Sequence, residues 1–231
     1  MTTATPTARS RAQAPTRDRS MARLLWYRLV QIVVSQVLSV FGGIRVTGRD
    51  HLPKAGGAIL VCNHLSHLDV FVLGILLHRP LNYVARSTLF LPVLGSLIRS
   101  VGGFAIQRDG RGSEGFKETL RRVRNGGIVT FFPEGTRSLD GELGELKPGI
   151  VALASRAGVP LVPAAIAGTF EAWPKSRRFP RPHAIRVHYG EPIAPEEFAG
   201  RAPEAVTALI RDRILRCQAQ ARQGLRGDTE R

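Results

Sequence analysis

Five apolar residues, Ala58-Ile59-Leu60-Val61-Cys62, run without a polar interruption and stop at Asn63. A strand with one wet face alternates apolar and polar side chains. A strand that does not alternate is buried on both faces, as in parallel sheets covered by helices. A second apolar run, residues 70–77, reads as a helix and begins only after Asn63-His64-Leu65-Ser66-His67-Leu68-Asp69. An imidazole and a carboxylate therefore fall where a buried strand gives way to a helix. Loops at strand ends are where α/β folds place their chemistry.

The rest of the chain repeats the alternation. Strands are expected over 44–50, 81–85, 103–107, 127–132, 161–167 and 184–189. Helices are expected over 88–100, 113–124, 149–157 and 202–221. The expected class is α/β, a largely parallel or mixed sheet covered by helices.

Before the first strand, residues 24–41 are apolar apart from Arg28, Gln31, Ser35 and Ser39, which recur at helical spacing. A spanning helix needs about 20 mostly apolar residues. This segment, closed by Gly42-Gly43, fits a helix lying in a membrane surface, with Arg23 and Arg28 near headgroups and Trp26 and Tyr27 at the interface. A helix packed on the domain's own core fits the same pattern. The expected organisation is a disordered basic arm over 1–23, a membrane-associated helix over 24–43, the α/β domain over 44–222 and a disordered tail over 223–231. The composition of the arm also suits a transit peptide.

Lys and Arg total 33 against 18 Asp and Glu, a net charge of +15. Such a chain meets polyanions. Without an aromatic-studded basic motif, an anionic membrane surface or phosphorylated substrate is favoured over nucleic acid. Two cysteines, Cys62 and Cys217, make neither a disulfide framework nor a zinc spacing and suit a reducing, cytosol-facing environment.

A histidine takes a proton from a hydroxyl near neutral pH and returns it to a leaving group. A carboxylate on its other nitrogen fixes the tautomer. His64 and Asp69 suit these two roles. No G-x-S-x-G elbow is present, so direct attack by a substrate hydroxyl is the economical route. Ser66-x-x-Asp69 before an apolar run equally fits a capping box, with Asp69 holding the helix and His64 an ordinary loop residue. Cys62, His64, His67 and Asp69 straddle a strand-to-helix change and make a poor metal set. Cys62 and His64, two apart on one strand, make a poor nucleophile and base.

A second polar turn, Pro133-Glu134-Gly135-Thr136-Arg137-Ser138, ends the apolar Phe131-Phe132. Arg137 has the fork that takes a phosphate, and Glu134 suits orienting it or holding a substrate hydroxyl. An ordinary turn with a surface ion pair fits as well. Arg108 follows another strand at the same expected end of the sheet, as a phosphate contact or a solvated cation. Gly110-Arg111-Gly112-Ser113-Glu114-Gly115 matches a dinucleotide fingerprint, but its strand is not the first of the sheet and a charged Arg108-Asp109 pair intervenes.

Taken together, these segments resemble the glycerolipid acyltransferases, specifically the 1-acyl-glycerol-3-phosphate (lysophosphatidic acid) acyltransferase family. Asn63-His64 through Asp69 is similar to its N-H-x-x-x-x-D motif. The strand ending in Arg108 is similar to its second block, and Phe132 to Ser138 to its third, F-P-E-G-T-R-S. Val159-Pro160-Leu161-Val162-Pro163 with Gly168 resembles the fourth, and Leu146-Lys147-Pro148-Gly149 the segment that joins the last two. The likeness covers roughly residues 44–192. It implies transfer of a fatty acyl group from acyl-CoA or acyl carrier protein to the sn-2 hydroxyl of lysophosphatidic acid, giving phosphatidic acid. It further implies His64 as base, Asp69 as its orienter, and Arg108 and Arg137 on the acceptor phosphate. Glu134, Gly135 and Thr136 would shape the pocket. No metal or redox cofactor is implied, and the location is the cytoplasmic face of the cell membrane. Another lipid acceptor (glycerol-3-phosphate, another lysophospholipid or a lipid amine) is equally compatible with the motifs. A non-catalytic binder of anionic lipid is the reading from outside enzymology.

Overall fold

A computed structural model of the chain describes residues 20–86, 88, 90–106 and 113–229. Within these, seven strands form one mixed sheet: β1 (Ile44–Thr47), β2 (Ala58–Cys62), β3 (Leu81–Arg86), β4 (Gly103–Ile106), β5 (Ile128–Phe131), β6 (Leu161–Ala167) and β7 (Ile185–Tyr189). The order is β1-β7-β6-β2-β5-β3-β4. Strands β2 to β6 all point one way. β7 pairs antiparallel with β6, and β1 follows β7. The helices are α1 (Met21–Val40), α2 (Asp69–Val72), α3 (Pro92–Ser100), α4 (Ser113–Arg124), α5 (Gly149–Ala157), α6 (Thr169–Ala172), α7 (Pro195–Phe198) and α8 (Pro203–Thr229).

β2 is the centre of the sheet, and all five of its residues are buried. Its side chains feed two cores by the strand period of two. Ala58, Leu60 and Cys62 join Leu73, Leu81, Val187 and Tyr189 on one face. Ile59 and Val61 join Val129, Ile150, Leu161 and Ile210 on the other. α8 covers that second face through Val206, Ile210, Ile214, Cys217 and Ala221, a stripe at helical spacing.

The parallel run fixes where chemistry can sit. The C-terminal ends of β2, β5 and β6 lie side by side, so the segments after Cys62, Phe131 and Ala167 converge at one edge. Residues 63, 132 and 168 become neighbours although the chain separates them widely.

Four expectations need correction. The helix expected over 70–77 is only one turn long, α2. Beyond it Leu76 has a positive φ of 61°. The carbonyls there are taken by side chains: Leu73 by Tyr189 Oη, Gly74 and Leu77 by Gln31, Leu77 and His78 by Arg28, and Leu76 by Arg49. Side-chain donors replace the helical ladder, so no propensity scale would find the end.

Two members of the polar stripe of α1, Arg28 and Gln31, bond to the domain's own carbonyls, while Ser39 is exposed and donates to Ser35 O within the helix. Arg28 donates to Leu77 O at 2.8 Å and His78 O at 2.7 Å. Tyr27 is buried, and its hydroxyl accepts from Leu81 N. Trp26 Nε1 donates to Ser100 Oγ at 2.9 Å. Leu25, Leu29, Ile32, Val33, Val37 and Val40 are left on the exposed side. Among the described residues, no helix is long and apolar enough to cross a membrane.

Of the arm expected over 1–23, residues 21–23 are helix, because α1 begins at Met21 with Ser20 Oγ accepting from Arg23 N; residues 1–19 lie outside the described residues. The disordered tail expected over 223–231 is helix as far as Thr229. The two glycines there, Gly224 and Gly227, cost a helix only about 1 kcal/mol each and do not end a long one.

Smaller boundary shifts follow local chemistry. The strand expected over 44–50 stops at Thr47, because Gly48 is left-handed and Arg49–His51 turns as a 3-10 helix. The helix expected from residue 88 starts at Pro92, where a missing N–H is harmless.

Candidate active site

Asp69 opens α2 and is fully buried. Its Oδ2 accepts from Leu65 N at 2.6 Å and Ser66 N at 2.8 Å, and contacts His64 Nδ1 at 2.8 Å. Its Oδ1 accepts from Thr169 Oγ1 at 2.7 Å. A carboxylate so surrounded can only accept. Nδ1 is therefore the donor, and Nε2 keeps its lone pair. Only half of the expected capping box forms: Asp69 Oδ2 accepts the Ser66 N–H, but Ser66 Oγ accepts from Leu68 N at 3.2 Å and donates to Trp173 O, and the N-cap of α2 is Leu68 without a side-chain cap.

The imidazole is stacked on Phe132, with centroids 4.1 Å apart and planes 17° from parallel. Its side chain is 19% exposed, enough for one face to meet a ligand. The backbone of His64 is held at both ends. Its N–H donates to Glu134 Oε1 at 2.8 Å, and its carbonyl accepts from Ser138 N at 2.7 Å. The other Glu134 oxygen accepts from Gly144 N at 2.8 Å. Burial pushes the Glu134 carboxyl above its ordinary range, against the opposing pull of these two N–H groups. Asn63 closes the remaining side. Its amide exchanges two hydrogen bonds with the backbone of Ile166, at 2.8 and 3.0 Å, tying the end of β2 to β6.

Gly168 makes the Thr169 contact possible. Its φ is +90°, and a Cβ there would lie 2.0 Å from Ala184 O. Only glycine lets the chain leave β6 and turn Thr169 under Asp69.

A family model described as Acyltransferase matches residues 43–167, the span that holds both of these loops. The chain belongs to the acyltransferase family. Among its relatives, the 1-acyl-sn-glycerol-3-phosphate acyltransferase of Bacillus subtilis is 31% identical over 175 residues, 75% of this chain and 85% of that protein. A chloroplastic 1-acyl-sn-glycerol-3-phosphate acyltransferase of Brassica napus is 33% identical over 153 residues, 64% of this chain. The match spans only 44% of that longer protein. The crystal structure of the 1-acyl-sn-glycerophosphate (LPA) acyltransferase PlsC from Thermotoga maritima superposes with a TM-score of 0.73 at 26% identity, covering 93% of this chain and 84% of that one.

Within this acyltransferase the expected site residues separate into groups. His64 and Asp69 are in contact. Gly135, with φ +70°, and the exposed Thr136 form the turn beside them. Glu134 sits behind that turn with both oxygens committed to backbone N–H groups, a clamp on the loop and not a free acceptor for substrate. Arg137 is half-buried. Its charge, after burial, is a cause of the lowered pKa of His67. Arg108 and the glycine-rich 110–112 lie outside the described residues. His67 sits outside the pair, 5.4 Å from the Trp173 ring. Burial holds the Cys62 thiol well above its usual range, a poor nucleophile.

Phe132, Ser138, Gly144 and Thr169 were not among the expected site residues. Phe132 had a signal, an aromatic closing an apolar strand beside a polar turn. Thr169 had none, since its partner is 100 positions away in sequence.

Proposed function

We propose that this acyltransferase moves a fatty acyl group from a thioester, acyl-CoA or acyl carrier protein, to the sn-2 hydroxyl of lysophosphatidic acid, yielding phosphatidic acid. The observation that carries the reading is the His64–Asp69 contact, with Nδ1 committed to the carboxylate and Nε2 left as acceptor. The names of the relatives support the acceptor.

In this reading His64 Nε2 removes the hydroxyl proton as the oxygen attacks the thioester carbonyl. The tetrahedral intermediate collapses with breakage of the C–S bond, and the proton on His64 passes to the leaving thiolate. Asp69 stabilises the imidazolium in between. Arg137, with Arg108, takes the acceptor phosphate. The chemistry calls on no metal or redox cofactor. The exposed apolar side of α1 lies in the membrane surface, on the cytoplasmic face, where the acceptor resides.

The test is an acceptor and donor panel read by lipid mass spectrometry. Wild-type protein should form phosphatidic acid, and His64→Ala should abolish it while retaining the wild-type circular dichroism. Full turnover by His64→Ala, or product only from a different acceptor, would sink the assignment.

A further inference from the structure

The segment between α6 and β7 is a cationic protrusion that the site above does not use. Residues 175–182 are all exposed and include Lys175, Arg177, Arg178 and Arg181. No Asp or Glu occurs between Glu171 and Glu191. At its tip Phe179 is 69% exposed, with the Arg178 guanidinium 5.5 Å from the ring centre. An aromatic residue held out among cations is a poor choice for a merely solvated loop.

The protrusion has a fixed shape. Arg177 N donates to Pro174 O, and Trp173 Nε1 to Arg177 O at 3.0 Å. Arg181 returns to α6 through its N on Ala172 O at 2.9 Å and its Nε on Glu171 O at 2.8 Å.

Topology sets its place. β7 and β1 run against β6, so the chain entering both strands lies at the His64 end of the sheet. His183 N donates to Phe41 O at 2.8 Å and Ile185 N to Gly43 O at 2.9 Å, joining the base of the protrusion to the end of α1. Gly42 is the close approach, since a Cβ there would lie 2.5 Å from the His183 carbonyl carbon. Val37, Val40 and Phe41 are exposed at that same end. Toward the site, Trp173 O accepts from Ser66 Oγ at 2.7 Å.

We propose that residues 174–182 and the outer side of α1 form one bilayer-docking surface, in which the four cations bind anionic headgroups and Phe179 enters the interface. The proposal rests on the membrane reading of α1 and extends it to a second, charge-selective element. Cations read the phosphates, the aromatic reads the acyl boundary, and α1 supplies the apolar area. The surface would deliver the site to a membrane rich in the anionic lipids that the reaction consumes and makes.

The test is vesicle co-sedimentation of the full chain with phosphatidylcholine alone and with phosphatidylcholine containing phosphatidylglycerol. Arg177→Gln/Arg178→Gln removes two exposed cations and should lower partitioning onto the anionic vesicles roughly 30-fold, leaving neutral vesicles unaffected. Phe179→Ser should weaken both. High salt should erase the difference between wild type and the double variant. Wild-type partitioning by the double variant overturns the proposal. If that variant instead raises the KM for an acyl carrier protein donor at unchanged vesicle binding, the loop serves an acidic protein and the proposal also falls. Leu29→Ser/Val33→Ser separates the two readings. If it loses binding where the loop variants do not, only the loop role fails; if neither set loses binding, the membrane reading fails as well.

Discussion

Thr169→Val probes the support beneath the proposed base His64 and its partner Asp69 most cleanly. The Thr169 hydroxyl and the Asp69 carboxylate are both fully buried and 2.7 Å apart. Valine keeps the side-chain volume and removes the donor. A hydrogen bond to a charged group contributes about 1.5–3 kcal/mol, and a buried acceptor left unmade costs a similar amount. If all of it bears on the carboxylate that positions His64, kcat falls by at most about 10- to 150-fold. Thr169 is sealed from solvent and touches no substrate, so both KM values should stay near wild type. A lower melting temperature is expected too, about 2–4 °C for each kcal/mol in a domain of this size. Stability alone cannot then identify the role, and Thr169→Ser supplies the control. Serine retains the hydroxyl and loses a methyl group, so it should lose stability while keeping kcat. The assay is initial-rate release of the free thiol from the thioester donor, with thermal unfolding alongside. Wild-type kcat in Thr169→Val would refute the reasoning, and so would a kcat in Thr169→Ser as low as in valine.

Four further outcomes follow from the structure. Glu134→Gln should set an amide NH2 against one backbone N–H, costing about 1–3 kcal/mol in stability and lowering kcat through the His64 backbone; unchanged unfolding and turnover would remove the clamp. Glu134 should also separate activity from stability in acid. Its folded pKa is raised above the ordinary 4.5, so the folded state binds the proton more tightly than the unfolded chain, and the cost of burying the charge disappears as pH falls through the raised value. The protonated carboxyl accepts the His64 and Gly144 N–H more weakly than the carboxylate, so kcat should drop in that window while this group's contribution to stability rises; parallel pH–rate and unfolding series check it, and a fall in both attributable to Glu134 counts against the account. Arg28→Ala removes hydrogen bonds to the carbonyls of Leu77 and His78 and should destabilise the fold by about 2–3 kcal/mol while exposing residues 21–40 to limited proteolysis; wild-type protection refutes it. Arg137→Ala should raise the KM of a phosphorylated acceptor well above that of the donor, and equal effects on both would deny Arg137 the phosphate.

The sequence is most legible where one physical cause acts alone. β2, β6 and α5 show their bounds because uninterrupted apolar runs and glycine or proline punctuation have no competing influence there. The pairing of His64 with Asp69 is local, but five positions of spacing fit a capping box equally, and only the contact at 2.8 Å separates the two. α2 was misread because Arg28, Gln31, Arg49 and Tyr189, brought from three other elements, take the carbonyls that a longer helix would use. The direction of α1 was misread for a related reason. A narrow polar stripe on a greasy helix is symmetric in sequence between facing headgroups and facing carbonyls. Only the irregular 73–78 segment, with its unladdered carbonyls, decides the matter.

The site was legible by block and not by contact, and the reason lies in the sheet order. Placing β2 between β5 and β6 sets three segments side by side that are about 70 and 100 residues apart in sequence. The residues that hold the pair rigid come from the two neighbours: Glu134, Ser138 and Phe132 after β5, Thr169 after β6. Each is an ordinary residue by its own local pattern. Glu134 reads as a turn carboxylate and Thr169 as the first residue of a short helix, and neither reading is false. Their second role exists only because Asp69 and the His64 backbone are already there, buried, with donors and acceptors that need partners. A buried carboxylate demands such partners wherever the fold can supply them. The useful question to put to such a sequence is therefore which polar groups will satisfy Asp69, and the search belongs at the ends of the strands flanking β2.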